Sequence, residues 1–127
     1  MRMRSFLALL MVPALVAALP PAAGAQALSI PGPYGNADGC AFASGQTVSG
    51  YSLFVLRPDG LEAYAAECEF VQVLPARSGA AVVTALCQGE GLTDIRMFTI
   101  SPSDRENGTL LVHFDNGELW HEVAACP

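Results

Sequence analysis

From Tyr51 to the C-terminus, short apolar runs alternate with clusters of Gly, Pro, Asn, Asp and Ser, at intervals of roughly eight to twelve residues. Tyr51–Arg57 (YSLFVLR) predicts a strand. Arg57–Gly60 fits a type I turn with a glycine bulge, Pro58 setting φ and Gly60 taking the left-handed position. Leu61–Ala65 predicts the return strand and Glu69–Leu74 (EFVQVL) a third. Ala76–Gly79 turns the chain and Ala80–Cys87 (AAVVTALC) comes back. Gln88–Gly91 reads as a loop, Leu92–Ile100 (LTDIRMFTI) as a fifth strand and Ser101–Gly108 as a polar turn. Leu61–Cys68 also holds the helix formers Glu62, Ala63, Ala65 and Ala66, so that stretch stays open between strand and helix.

The last two runs, Thr109–Asp115 (TLLVHFD) and Glu118–Ala125 (ELWHEVAA), flank Asn116-Gly117, the signature of a two-residue hairpin. In that register Phe114 faces Leu119, Val112 faces His121 and Leu110 faces Val123 on the more apolar side. His113 faces Trp120 and Leu111 faces Glu122 on the other. Seven such runs with turn signals between them predict an all-β fold, a single antiparallel sandwich or small barrel, over 51–127. Residues 26–50, rich in Gly, Pro, Ala, Ser and Asn, read as an N-terminal arm or loop with at most one short strand.

The first 25 residues have a different pattern. Met1–Ser5 carries Arg2 and Arg4, Phe6–Leu19 is apolar, and Ala23-Gly24-Ala25 is a small-residue cleavage site. This order predicts a secretory signal peptide over 1–25. A spanning helix needs about 20 apolar residues, and this run is shorter and contains Pro13. The expected product is periplasmic or secreted, one domain of about one hundred residues, with no membrane contact after cleavage.

All four cysteines, Cys40, Cys68, Cys87 and Cys126, lie beyond the signal. An even number in a small exported chain predicts two disulfides. Zinc would need a close pair such as C-x-x-C, which is absent. Loop-closure entropy is similar for Cys40–Cys68 with Cys87–Cys126 and for Cys68–Cys87 inside Cys40–Cys126, about 7–8 kcal/mol in total. Strand register favours the nested scheme. A four-residue turn at Ala76–Gly79 pairs Pro75 with Ala80, and seven steps out Cys68 lies opposite Cys87.

Charge narrows the partners. The whole chain has six Arg, no Lys and twelve acids. Beyond the signal four arginines face the twelve acids, a formal charge of −8. Nucleic acids and anionic membranes need cationic contacts, so neither is expected as a partner. The chemistry-bearing groups are few. His113 and His121 fall on opposite faces of their hairpin and cannot share a metal without a break in that register; His121 reads as a core or rim residue. No G-x-S-x-G setting supports a nucleophile. Glu67 and Glu69 flank Cys68 and point away from it, and Glu90 shares their face if the strand continues. Three such acids could raise a pKa for acid–base work or hold a hard cation. Solvated surface acids are the simpler account, with Arg96 or Arg77 to neutralise one. Asn36-Ala37-Asp38-Gly39 lacks the full calcium-loop spacing and reads as a turn. Tyr34, Tyr51, Tyr64 and Trp120 could line a binding face.

Gly32-Pro33-Tyr34, Cys40, Tyr64-Ala65-Ala66-Glu67-Cys68, Cys87-Gln88-Gly89-Glu90-Gly91 and Cys126 together resemble the pattern of small exported four-cysteine bacterial proteins of unassigned function. Ala65 stands where that pattern usually has Glu. The resemblance implies a compact, doubly disulfide-bonded β domain in the periplasm and no activity.

The expected function is therefore a non-enzymatic binding or interaction module for a protein or small-molecule ligand, with no catalytic residue, metal ligand or cofactor assigned. An inhibitor of an envelope enzyme, lysozyme or protease, is one alternative and should present a protruding loop at Ala76–Gly79, Gln88–Gly91 or Ser101–Gly108. A ligand carrier should show a concave apolar pocket within the sheet. A small acid–base hydrolase using Glu67, Glu69 or Glu90 should show those acids converging in a cleft.

Overall fold

The computed structural model describes residues 27–127; the signal peptide expected over 1–25 lies outside the described residues. The elements are β1 (Tyr34–Gly35), α1 (Ala37–Ala43), β2 (Phe54–Arg57), β3 (Gly60–Ala63), β4 (Ala66–Pro75), β5 (Ala81–Gly89), β6 (Leu92–Pro102), β7 (Thr109–Phe114) and β8 (Leu119–Ala125). Each strand pairs antiparallel with the next, and β8 returns to β1 through Tyr34–Ala125 and Gly35–Ala124. The sheet is thus a closed eight-stranded barrel, which decides between the two all-β architectures left open above.

Alternation along the strands fills the barrel. Leu56, Leu61, Cys68, Phe70, Val83, Ala85, Cys87, Phe98, Val112 and Val123 form one buried cluster with Phe54. An eight-stranded barrel is just wide enough for inward side chains to occupy its interior. Leu28 joins this cluster from the segment before β1, and its N–H donates to the Pro58 carbonyl at 2.7 Å. The middle of the barrel is core, and at one end Leu28 and Ile30 meet Val73, Ala81, Ile100 and Leu110 around an apolar depression of about 370 Å³.

The nested disulfides are present, Cys68–Cys87 across β4 and β5 and Cys40–Cys126 between α1 and the end of β8. Cys68 does face Cys87, yet the turn differs from expectation. Five residues, Ala76–Ala80, connect Pro75 to its partner Ala81. The extra loop residue is offset by a bulge at Val71, between Phe70 and Gln72, which restores the register before Cys68. Two one-residue deviations cancel. A small chain stapled twice belongs to an oxidising, non-cytoplasmic compartment. No helix among the described residues is long and apolar enough to cross a membrane.

Three turns also depart from expectation. Leu61–Cys68 is neither helix nor one strand: β3 ends at Ala63, Tyr64-Ala65 turns, and β4 begins. Ala65 takes the left-handed region there, φ 58°. Gly60 does not have positive φ; it is small because a Cβ would overlap the Cys68 carbonyl. Glu90-Gly91 alone closes β5 to β6, both residues with positive φ, as a type I′ turn requires.

The final hairpin is the largest correction. Only Gly117 has positive φ, so Asn116-Gly117 is not a two-residue I′ turn. Phe114 N–H instead donates to the Glu118 carbonyl, at 2.9 Å, enclosing Asp115–Gly117. His113 then pairs with Leu119, and Trp120 is the extra residue of a bulge before Val112–His121. A bulge places successive side chains on one side. Trp120 and His121 both turn onto Phe54, with ring centroids 5.0 and 4.2 Å away. Trp120 also stacks on Phe98 and Phe114. The expected Phe114–Leu119 and His113–Trp120 pairs do not exist, while Leu110–Val123, Leu111–Glu122 and Val112–His121 pair as the sequence predicts.

Candidate functional site

Residues 26–50 contain more than an arm. Asn36 accepts the Gly39 N–H at 2.7 Å and caps α1, with Asp38 in the first turn. The same Asn36 side chain accepts the Phe54 N–H at 3.1 Å and donates to the Ser52 carbonyl. Ser52 Oγ donates to Asp38 at 2.8 Å. The expected turn is thus a helix cap that ties the loop 44–53 to β2. Gly39 lets the helix sit there, because a Cβ would overlap the Phe54 carbonyl.

This arrangement stands the helix end and its loop beside the β3–β4 turn, whose Tyr64 N–H donates to the Leu53 carbonyl at 3.2 Å. Between them runs a groove of about 510 Å³. Phe42, Val48, Leu53, Tyr64 and Ala65 form its apolar wall, and Glu62 and Glu67 also line it. The volume lies within the range of ordinary ligand pockets. Phe42 and Tyr64 are exposed, and Tyr64 packs edge-on against Tyr51 at 4.7 Å.

The charges here are unbalanced. Glu62 and Glu67 are directly opposed across β3 and β4. Opposed like charges repel. Arg57 bonds Glu62 at 2.8 Å, while Glu67 has no ion pair among the described residues. A neighbouring depression of about 340 Å³ continues the acidic surface through Asp59 and Glu69. The site therefore pairs an apolar wall with uncompensated negative charge.

Of the three acids singled out in the sequence, Glu67 and Glu69 come together, both exposed on the barrel's outer face. Glu90 does not join them; it sits in the β5–β6 turn beside a smaller depression of about 180 Å³ that also contains Cys87, Arg96 and Trp120. Among the described residues no three His, Cys, Asp or Glu side chains are placed to hold a metal ion. Of the four aromatics, Tyr51 and Tyr64 are on the surface, Trp120 and Tyr34 pack against the core. Phe42, Val48 and Leu53 were not foreseen. Asn36 before Ala37-Asp38 is a helix-start signal, masked by Gly39 and by the helix being only seven residues long.

His121 is half-buried against Phe54, and burial pushes its pKa below the ordinary histidine value. The unfolded chain then takes up a proton that the folded chain resists. This contribution to stability is complete above about pH 6.5 and is lost as pH falls below it. Urea midpoints at neutral and mildly acid pH should drop less for His121→Gln than for the unaltered chain; equal drops would remove His121 as the cause.

No family model, curated protein or solved structure matches this chain.

Proposed function

We propose that the chain is a non-enzymatic binding module of the periplasm or the secreted fraction, holding a partner segment that combines apolar and cationic side chains. The groove between α1 and the β3–β4 turn carries this reading: it joins the exposed rings of Phe42 and Tyr64 to Glu67, a carboxylate without an ion pair among the described residues. Pairing Glu67 with a cation would offset its repulsion with Glu62, and the exposed Phe42 and Tyr64 rings would supply apolar contact. The filled barrel gives no support to a carrier that encloses its ligand within the sheet. The separation of Glu90 from Glu67 and Glu69 gives none to a hydrolase built on all three.

Short synthetic peptides of basic-apolar, acidic-apolar and neutral-apolar composition, titrated by NMR, test the reading. The basic-apolar peptide should shift Phe42, Leu53, Tyr64 and Glu67 saturably, and Glu67→Arg should weaken it by roughly tenfold. Saturable shifts confined to another surface, or none with any peptide, would overturn it. The inhibitor alternative draws on the β5–β6 hairpin, whose tip Glu90-Gly91 is exposed together with the β6 residues 92–97. Inhibition of a lysozyme or protease by the unaltered chain, abolished by lengthening that tip, would favour it over the groove.

A further inference from the structure

Successive turns of the barrel fall at alternate ends. The β3–β4, β5–β6 and β7–β8 turns share the end that carries α1 and the groove, and the β2–β3, β4–β5 and β6–β7 turns share the other. Across this second mouth runs the segment before β1, residues 27–33. It is tied at both extremities. The Leu28 N–H donates to the Pro58 carbonyl at 2.7 Å, and the Pro33 carbonyl accepts the Cys126 N–H at 2.9 Å. Between those ties residues 29–32 make no backbone hydrogen bond to the barrel.

Beneath this strap lies the apolar depression of about 370 Å³. Leu28 and Ile30 line it from the strap, and Val73, Ala81, Ile100 and Leu110 from the strands. The β4–β5 turn adds Ala76, Gly79 and Ala80, whose small size leaves the space open. Two residues further in on β5, β6 and β7, Val83, Phe98 and Val112 are fully buried, so the filled interior begins directly below.

The lining has one chemical character. None of its residues carries a charge or an amide side chain, and the Ser29 hydroxyl is its one polar side-chain group. Arg77, in the adjoining turn, does not line it. A confined water needs several polar partners, so solvent is poorly held here. Displacing poorly ordered water by an apolar group gains affinity.

We infer that this mouth binds a compact neutral molecule with an aliphatic or aromatic body, held between the strap and the β4–β5 hairpin. The volume sets its size. An apolar cavity of about 150 Å³ accepts benzene, so this one takes about ten to fifteen non-hydrogen atoms. The lining sets its charge. With neither cation nor acid facing the depression, an ionised ligand loses hydration and gains no partner. The untied middle of the strap supplies a way in that opens no strand pair. The ligand class and the place both differ from those of the groove, which lies at the opposite end.

Methyl-resolved NMR titration of the mature chain with 1-octanol, octanoate and glucose tests the inference. 1-Octanol should shift the Leu28, Ile30, Val73, Ile100 and Leu110 methyls saturably, half-complete at roughly 0.1–1 mM. Octanoate should bind more weakly by roughly tenfold, and glucose should leave these methyls unmoved. Ala80→Leu fills the depression from the hairpin and Ile30→Trp from the strap. Each should weaken 1-octanol by roughly tenfold with an unchanged circular dichroism spectrum. The titration of the unaltered chain decides the matter even where a variant fails to fold. No saturable shift with 1-octanol, shifts confined to other methyls, octanoate binding as tightly as 1-octanol, or undiminished binding in a folded variant would overturn the proposal. Ile30→Trp should leave the basic-apolar peptide titration of the groove unchanged, so the two readings fail separately.

Discussion

Phe54→Ala should destabilise the fold by about 3–5 kcal/mol, the cost of truncating a fully buried aromatic ring that its surroundings cannot refill. Phe54 is completely buried. Its ring is the point where Trp120 and His121 meet the core, one edge-on and one stacked. Trp120 in turn carries Phe98 and Phe114. Removing the ring leaves a void at the junction of β2, β6, β7 and β8 without touching the backbone bonds that Asn36 makes to residue 54. For a domain of this size the transition should fall by roughly 15–30 °C, read by calorimetry or thermal circular dichroism. Phe54→Leu should cost less, since it leaves a smaller void. A loss below about 1 kcal/mol would mean that the interior is not closely packed, and would reopen the carrier reading that the filled barrel disfavours.

The two disulfides should contribute unequally. Cys40–Cys126 closes a separation of 86 residues and Cys68–Cys87 one of 19. Loop-closure entropy gives about 4–5 kcal/mol for the first and about 3 kcal/mol for the second. Structure widens the difference. Cys68–Cys87 joins strands that already share a long ladder. Cys40–Cys126 lies beside the seam of the barrel, where β1 meets β8 through two residue pairs and Cys126 N–H donates to the Pro33 carbonyl at 2.9 Å. Replacing Cys40 and Cys126 by Ser should lower the urea midpoint more than the corresponding change at Cys68 and Cys87. It should also speed amide exchange at Tyr34, Gly35 and Ala124–Cys126 while β4 and β5 stay protected. Equal losses, or unchanged exchange at the seam, would contradict this role.

Much of this architecture is legible before any coordinates. The strands over 51–127 lie close to where alternation and turn residues place them, because a half-buried strand requires that period. The nested disulfides follow from strand register, but for a partly accidental reason: the fifth loop residue at Ala80 and the bulge at Val71 offset each other. In the last hairpin the same kind of deviation was not offset. Asn116-Gly117 looks like a two-residue turn, yet the buried cluster accepts Trp120 as well as His121, and the register shifts by one residue to bring both inward. Local turn chemistry yielded there to packing of a large ring.

The candidate groove was legible only in part. Tyr64, Glu67 and Glu69 are visible as residues, and their strand sets which face they occupy. The opposite wall was not visible, because α1 is short, contains Gly39 and has little intrinsic helical tendency. It forms because Asn36 caps it and bonds to β2, and because Phe54 leaves room for a glycine and nothing larger.

Composition, spacing and alternation by themselves determined an all-β chain, its four paired cysteines, the inward and outward faces of most strands and the excess of acidic over basic residues. They could do so because each depends on local period or on counting. Closure into a barrel, the position of Trp120, the helix that walls the groove and the apolar depression at the barrel's mouth were decided by the tertiary structure alone. Each of these depends on where strands distant in sequence end relative to one another, and side-chain packing across the closed interior sets those ends.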